Sequence, residues 1–166
     1  LMSIFFTQKI DAYLYNYFLK LNYGPQASYL KKFFIGVTEL GDSLWYFLIL
    51  FIIFIVSFLI KKINLLRPKT YSYLKNFSIF GFFYLFLVGF VTQILKHIIG
   101  RPRPNHTNVD GFFNFFSTDA AFHSFPSGHS STIIAVTILF CLVFPKMKIF
   151  FYICGILIAI SRVVVG

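Results

Sequence analysis

Three cationic side chains follow the end of a long apolar stretch, residues 77–95, in this sequence. Residues 96–104 carry Lys96, Arg101 and Arg103, together with two prolines that break a helix. Guanidinium groups suit bidentate contact with phosphate oxygens, so this segment is a candidate anion site. A basic cap that offsets the dipole at a helix C-terminus is the alternative explanation.

A second segment, residues 124–132, could complete such a site. It reads Ser-Phe-Pro-Ser-Gly-His-Ser-Ser-Thr and leads into another apolar run. Unpaired N–H groups at a helix start attract anions. Gly128 would let a ligand approach the backbone, Ser127 would add a hydroxyl donor, and His129 can exchange a proton near neutral pH. A serine cap followed by a surface histidine is the alternative, but it leaves Gly128 and His129 unexplained.

A third segment, Ser161 and Arg162, lies near the end of the last apolar run. The arginine could simply extend to the membrane interface. If the three segments meet at one membrane face, however, Lys96, Arg103 and Arg162 would bind one phosphate-like anion together with the backbone of the second segment. One shared site explains all three segments at once.

The composition shows which kind of protein must position these residues. The 166 residues are 58% hydrophobic and 22% aromatic but only 12% charged, whereas soluble domains are about 45–50% apolar and about 25% charged. An ordinary soluble domain and a disordered chain are therefore excluded. The net charge of +10 fits either nucleic-acid binding or a membrane protein with basic loops.

Four apolar runs predict an all-α integral membrane protein, a bundle of transmembrane helices. The predicted spans cover about 44–60, 77–95, 130–145 and 149–165. A bilayer core needs about 20 helical residues; the first two runs qualify alone, and the last two need the polar residues at their ends. Buried helices of a soluble protein would show polar faces, which these runs lack.

The first 43 residues have a different pattern. Apolar residues recur there at helical spacing with polar residues between them, which predicts an amphipathic helix in the membrane interface that ends near Gly24. A second short helix is predicted over residues 26–37. We therefore divide the chain into interfacial helices, 1–43, and a transmembrane domain, 44–166.

Positive charge in short loops predicts the orientation. The loops 61–76 and 145–148 carry the basic residues Lys61, Lys62, Arg67, Lys69, Lys75, Lys146 and Lys148. Both loops should be cytoplasmic, in a multi-pass protein of the cell membrane, with the bacterial inner membrane as the expected location. Residues 96–129 then face the other side, where Lys96, Arg103 and Arg162 run against the rule and need another reason.

In order and spacing, the three segments resemble the type 2 phosphatidic acid phosphatase (PAP2) superfamily, which includes the vanadium haloperoxidases. The family pattern is Lys, six residues and Arg-Pro; then Pro-Ser-Gly-His; then Ser-Arg, five residues, His, three residues and Asp. Residues 96–104 match the first motif, residues 126–129 match the second, and Ser161 and Arg162 begin the third. The resemblance covers about residues 77–166.

The resemblance implies a role for each matching residue. Lys96, Arg103 and Arg162 would hold phosphate oxygens and stabilise the transition state, and His129 would be the general acid that protonates the leaving oxygen. The remaining motif positions would contribute to substrate binding: Pro104, Pro126, Ser127, Gly128 and Ser161. A second histidine, oriented by an aspartate, attacks phosphorus in this family to form a phosphohistidine. No metal and no cofactor are implied.

The sequence departs from the pattern at its end. The nucleophilic histidine is expected two positions beyond Gly166 and the aspartate four positions later, so we expect a carboxy-terminal truncation and an inactive fragment. His106 and His123 could be considered as metal ligands, but no carboxylate or cysteine cluster joins them. We expect both to be loop residues.

The expected function is hydrolysis of a phosphomonoester or diphosphate from a membrane lipid at the non-cytoplasmic face. Phosphatidic acid, phosphatidylglycerol phosphate, a polyprenyl diphosphate and lipid A all remain open as substrates. The alternatives are a non-catalytic membrane protein that binds a lipid headgroup and, less well supported, a haloperoxidase-type vanadate enzyme. The bilayer and the lipid phosphate are the expected partners, and nucleic acid is not needed to explain the charge.

Overall fold

The computed structural model describes residues 13, 16, 17, 27–63, 67–103 and 113–165. Within the described ranges, the helices with defined bounds are α1 (Ala27–Glu39), α2 (Ser43–Lys62), α3 (Pro68–Ile99), α4 (Gly128–Val143) and α5 (Lys148–Val165). Two short 3₁₀ turns, Ala120–Phe122 and Pro145–Met147, precede α4 and α5. No strand occurs among the described residues, which confirms the predicted all-α class.

Most of the predicted amino-terminal amphipathic helix lies outside the described residues. Tyr13, Asn16 and Tyr17, which are described, are helical and exposed. The second predicted helix, over residues 26–37, corresponds to α1.

Two of the helices are long and apolar enough to cross a membrane: α2 with 20 residues and α3 with 32. Few of their side chains are buried inside the protein, only Leu50 and Ser57 in α2 and four small or apolar residues in α3. Large apolar residues such as Phe83 and Phe58 are instead more than 60% exposed. Such an extensive apolar surface suits contact with lipid. Helix α4 is also apolar but, with 16 residues, is shorter.

The helices pack in the spatial order α2, α3, α4, α5, α1, each most extensively against its neighbour in that series. A small core forms where α2, α3 and α4 meet. It consists of Leu50, Leu85, Ala135, Val136 and Leu139. This packing brings the end of α3 beside the beginning of α4.

Buried hydroxyl groups occur within the apolar helices and bond to their own backbone. Ser57 Oγ donates to the carbonyl oxygen of Phe54, and Thr92 Oγ1 donates to that of Val88, each at 2.7 Å. Ser78 bonds in the same way. Each hydroxyl is thus satisfied without water, as a lipid environment requires, and small side chains at these positions let neighbouring helices approach closely.

Helices α4 and α5 approach each other closely at Gly155. A Cβ atom built on Gly155 would be 2.4 Å from Oγ1 and 3.4 Å from Cβ of Thr137. Both residues are buried. The two helices can therefore adopt this spacing only while residue 155 has no side chain.

We expect Gly155→Ala to lower the stability of the protein in detergent by about 1–3 kcal/mol, because the added methyl group overpacks the contact with Thr137. Thermal unfolding monitored by circular dichroism would measure the change. Gly36→Ala is the matched control, since a Cβ there meets no atom within 4 Å. Thr137→Ala should restore most of the loss in the double variant; an equal loss with and without Thr137→Ala would refute the contact.

Candidate active site

The end of α3 is joined to the segment that precedes α4 by a series of backbone hydrogen bonds. Asn114 N–H donates to the carbonyl oxygen of Gly100 at 2.8 Å, and Arg103 N–H donates to that of Ala121 at 2.9 Å. Arg101 and His123 form a short parallel β-bridge between these bonds. The backbone of residues 100–103 is therefore held in place by residues 114–124.

Gly100 makes this arrangement possible. It ends α3 in the left-handed conformation, with φ 56° and ψ 47°, and its N–H donates to the carbonyl oxygen of Lys96. A Cβ atom here would lie 1.6 Å from the carbonyl oxygen of Asn114. Both the positive φ and the close backbone approach require glycine. This one residue turns the chain from the helix that carries Lys96 into the segment that carries Arg103.

The two arginines of that segment have different surroundings. The Arg101 guanidinium lies 5.8 Å from the ring centroid of Phe125, and burial lowers the pKa of Arg101. Ser124 Oγ contacts the carbonyl oxygens of Arg101 and Pro102 at 3.0 and 2.9 Å. Arg103, by contrast, is exposed. Arg101 thus packs against the segment before α4, whereas the Arg103 side chain is accessible.

The start of α4 has the features of an anion site. Ser127 is the N-cap: its Oγ accepts from the N–H of Ser130 at 3.4 Å, and its carbonyl oxygen accepts from the N–H of Ser131 at 2.9 Å. A Cβ atom on Gly128 would lie 3.7 Å from Nζ of Lys96. The Lys96 ammonium therefore lies beside the first turn of α4, at the end of a helix that favours an anion.

Arg162 of α5 completes a group of three cations. The positive charges of Arg103 and Arg162 act on Lys96, and that of Arg103 acts on Arg162. Arg162 Nε is buried and has no hydrogen-bond partner within the described part of the chain. A buried, unpaired guanidinium N–H is costly. An anion bound between the three side chains would remove that cost.

His129, in the first turn of α4 and ahead of the apolar run, lies close to two of these cations, Arg162 and Lys96. Burial lowers the pKa of His129, and so does the positive charge of Arg162. The negative charge of Asp42 raises this pKa, whereas the positive charge of Lys96 lowers it. Lys96, Gly128 and His129 line one cavity of about 510 Å³, whose other walls include Phe47 and aromatic residues of α3. A titratable imidazole and an ammonium group therefore line the same partly apolar space.

The other residues predicted from the sequence are not among the three cations or the cavity-lining residues described above. Pro126 forms a cis peptide bond with Phe125 just before the N-cap. Ser161 is fully buried, and its hydroxyl donates to the carbonyl oxygen of Ile158 at 2.6 Å, within its own helix. Pro104 and His106 lie outside the described residues.

His123 and His97 contact each other, with ring centroids 4.3 Å apart. His97 Nδ1 lies 2.8 Å from the carbonyl oxygen of Gln93, and His123 Nε2 lies 2.9 Å from that of Ser117. The pair fastens the segment before α4 to α3. The described residues contain no group of three or more histidine, cysteine or acidic side chains placed to hold a metal ion.

Three residues that line this region were not predicted from the sequence. Gly41 and Asp42, which connect α1 to α2, line the cavity beside His129, and so does Gln93 of α3. No motif marks them. The only local signal was a helix cap, since an aspartate directly before an apolar run is typical of an N-cap.

Comparison with known proteins gave matches to curated sequences and to a family model. The lipid A 1-phosphatase of Rhizobium etli is 37% identical over 134 residues, which cover 78% of this chain and 58% of the relative. That of Rhizobium johnstonii is 36% identical over 134 residues, which cover 78% and 55%. The chain thus spans a little over half the length of these relatives. A search of solved structures found no match.

The family model describes the PAP2 superfamily and matches residues 78–166. This stretch includes Lys96 and Arg103 at the end of α3, the first turn of α4, and Arg162 of α5. The match covers more than half of the chain, so the chain belongs to the PAP2 superfamily.

Proposed function

We propose that the full-length protein is an integral-membrane lipid phosphatase. The observation that carries this proposal is the convergence of Lys96, Arg103 and Arg162 beside the first turn of α4, at one end of helices with apolar surfaces. A phosphorylated headgroup would bind to the cations while its acyl chains stayed in the bilayer. The family membership supports the same reading.

Among lipid phosphates, we propose a phosphomonoester of the lipid A type as the substrate. Both relatives named above are lipid A 1-phosphatases. The cavity beside Lys96 and His129 combines polar side chains, including Gln93 and Thr132, with aromatic walls. A sugar headgroup needs hydrogen-bonding partners, and the attached acyl chains need an apolar surface, so this lining supports the assignment.

In the proposed reaction the cations hold the phosphate. Lys96, Arg103 and Arg162 contact the non-bridging oxygens and stabilise the negative charge that develops in the transition state. The backbone of Gly128 and the hydroxyl group of Ser127 supply further donors. Because these groups are fixed by helix ends and by backbone hydrogen bonds, they need little rearrangement when the substrate binds.

We assign the role of general acid to His129, which donates its proton to the leaving oxygen. The residue must be protonated for this step, so phosphate release should fall as the pH rises through its pKa. Burial and the charge of Arg162 lower that pKa. The fall should therefore begin at a lower pH than it would for an unperturbed histidine.

The proposed route passes through a phosphohistidine, formed when a second histidine attacks phosphorus and later hydrolysed by water. His97 and His123 contact each other and a backbone carbonyl each, and His129 is assigned to proton donation. We therefore assign no nucleophile among the described histidines.

We further propose that the site faces the non-cytoplasmic side of the membrane. Lys61 and Lys62 end α2, and Arg67 caps the start of α3, so this connection is basic and lies at the opposite end of α3 from Lys96. Basic connections favour the cytoplasmic side. The site at the other end of α3 would then face outward.

The substrate assignment is tested by phosphate release from detergent-solubilised, full-length protein with a panel of lipids. We expect kcat/KM to be highest for lipid A that carries a 1-phosphate and lower for phosphatidic acid and polyprenyl diphosphate. Binding of every lipid without release of phosphate would favour the headgroup-binding alternative. Equal rates on all three would refute the proposed selectivity.

Arg103→Ala should lower kcat/KM by about 10²–10³, because one preorganised cation is lost from the transition state. Arg103 is exposed, so the fold should tolerate the change. Arg67→Ala, an exposed arginine at the opposite end of α3, is the matched control and should retain normal activity. Activity of Arg103→Ala within twofold of the control would remove Arg103 from the site.

His129→Gln should reduce phosphate release from a lipid phosphate by about 10²–10⁴, since the proton donor is lost. The loss should be much smaller with p-nitrophenyl phosphate, whose leaving group needs no proton. In the unmodified protein, kcat should decline on the alkaline side of its pH profile. Equal losses on the two substrates would contradict the assignment of His129 as the acid.

A further inference from the structure

We propose that Asp42 is a positioning residue for His129: the turn that carries Asp42 packs on His129, and its carboxylate favours the protonated imidazole within an otherwise cationic site. This inference rests on the proposed function, in which His129 is the general acid. Asp42 lies outside the three motifs and outside the stretch matched by the family model.

The connection that carries Asp42 has a fixed conformation. The N–H groups of Leu40, Gly41 and Asp42 donate to carbonyl oxygens at the end of α1 at 3.2, 2.9 and 3.0 Å. The Tyr46 hydroxyl donates to the carbonyl oxygen of Leu40, which fastens the same turn to α2. Asp42 therefore has a defined place relative to both helices.

This turn lies directly against His129. A Cβ atom built on Gly41 would be 2.9 Å from Cβ and 3.3 Å from Cδ2 of His129. Gly41 is buried in this contact. Residue 41 must lack a side chain for the turn to come this close, and the close approach brings the next residue, Asp42, into the cavity that His129 lines.

The charges around His129 show what Asp42 contributes. Within the described part of the chain, three charged side chains act on His129: Arg162 from α5, Asp42 from the start of α2, and Lys96 from α3. The two cations disfavour the protonated imidazole, while the carboxylate favours it. Asp42 is thus the one group of the three that supports the acid form.

The chemistry of the site creates the need for such a group. Three cations bind the phosphate, yet the same charges promote loss of the proton that His129 must donate. A carboxylate placed among the cations would compete with the phosphate for them. Asp42 instead approaches from the side of α2, where its Oδ1 accepts from the N–H of Leu44 at 3.0 Å, a position at which a helix start favours a negative side chain.

Asp42→Asn separates the charge from the structural role. Asparagine is as good an N-cap as aspartate, so α2 should remain intact. If Asp42 acts by its charge, the alkaline limb of the kcat profile moves to lower pH in Asp42→Asn. Activity then falls severalfold above neutral pH and stays near normal at acidic pH. In Asp42→Glu, which keeps the charge, the alkaline decline of kcat should lie at a pH closer to that of the unmodified protein.

A residue that only caps α2 would give a different result. Asp42→Asn would then have the same pH profile as the unmodified protein, while Asp42→Ala, which cannot cap, would lose thermal stability. A profile of Asp42→Asn that superposes on that of the unmodified protein would overturn the inference.

NMR titration of the His129 ring in the full-length protein in detergent tests the inference without requiring turnover. The titration should move to lower pH in Asp42→Asn, and an unchanged titration would overturn the proposal. Absence of phosphate release from every lipid, with a shifted titration, would refute the proposed phosphatase function while leaving the effect of Asp42 on His129 established.

Discussion

The repulsion between Lys96, Arg103 and Arg162 is the constraint on which the rest of this structure depends. Like charges held close together raise the free energy of the folded chain, more so where burial removes water. No single helix places all three, so their positions must be enforced from several elements. The left-handed turn at Gly100 directs Arg103, the packing of α3 on α4 places Lys96 over Gly128, and the contact between α4 and α5 sets the position of Arg162.

An anion bound among these side chains would resolve this conflict. Nε of Arg162, which has no partner within the described part of the chain, would gain one, and the three charges would be neutralised together. A phosphate bound at the proposed site would therefore stabilise the arrangement of the three cations. The same reasoning applies to the proposed general acid: Arg162 and Lys96 disfavour a protonated His129, whereas the charge of Asp42 favours it.

The apolar surface of the helices and the polar groups at their ends have complementary roles. Exposed aromatic and aliphatic side chains on α2 and α3 suit lipid, while the buried hydroxyl groups of Ser57, Ser78 and Thr92 bond to their own helices. Polar chemistry is thereby confined to the helix ends. A lipid phosphate is likewise apolar along its acyl chains and charged at its headgroup, so its two regions match those of the protein.

Much of the fold could be predicted from the sequence because its signals are local. The apolar runs at 44–60 and 77–95 lie within α2 and α3. The helices extend beyond these runs, to Lys62 and back to Pro68, because an α-helix tolerates Lys69 or Lys75 where a bilayer core does not. The apolar runs thus mark the part of each helix that lipid can cover, and they underestimate the length of the helix.

The sequence by itself determined which residues could bind phosphate and their spacing within each segment, because a proline, a glycine or a helix cap acts on its immediate neighbours. It also determined the helical, apolar character of the chain. Only the tertiary structure decided which of the two nearby arginines packs on Phe125 and which is exposed, that His97 contacts His123, and that Gly41 and Asp42 lie against His129. These contacts join residues far apart in the chain, and they arise from the packing of whole helices, to which no local pattern corresponds.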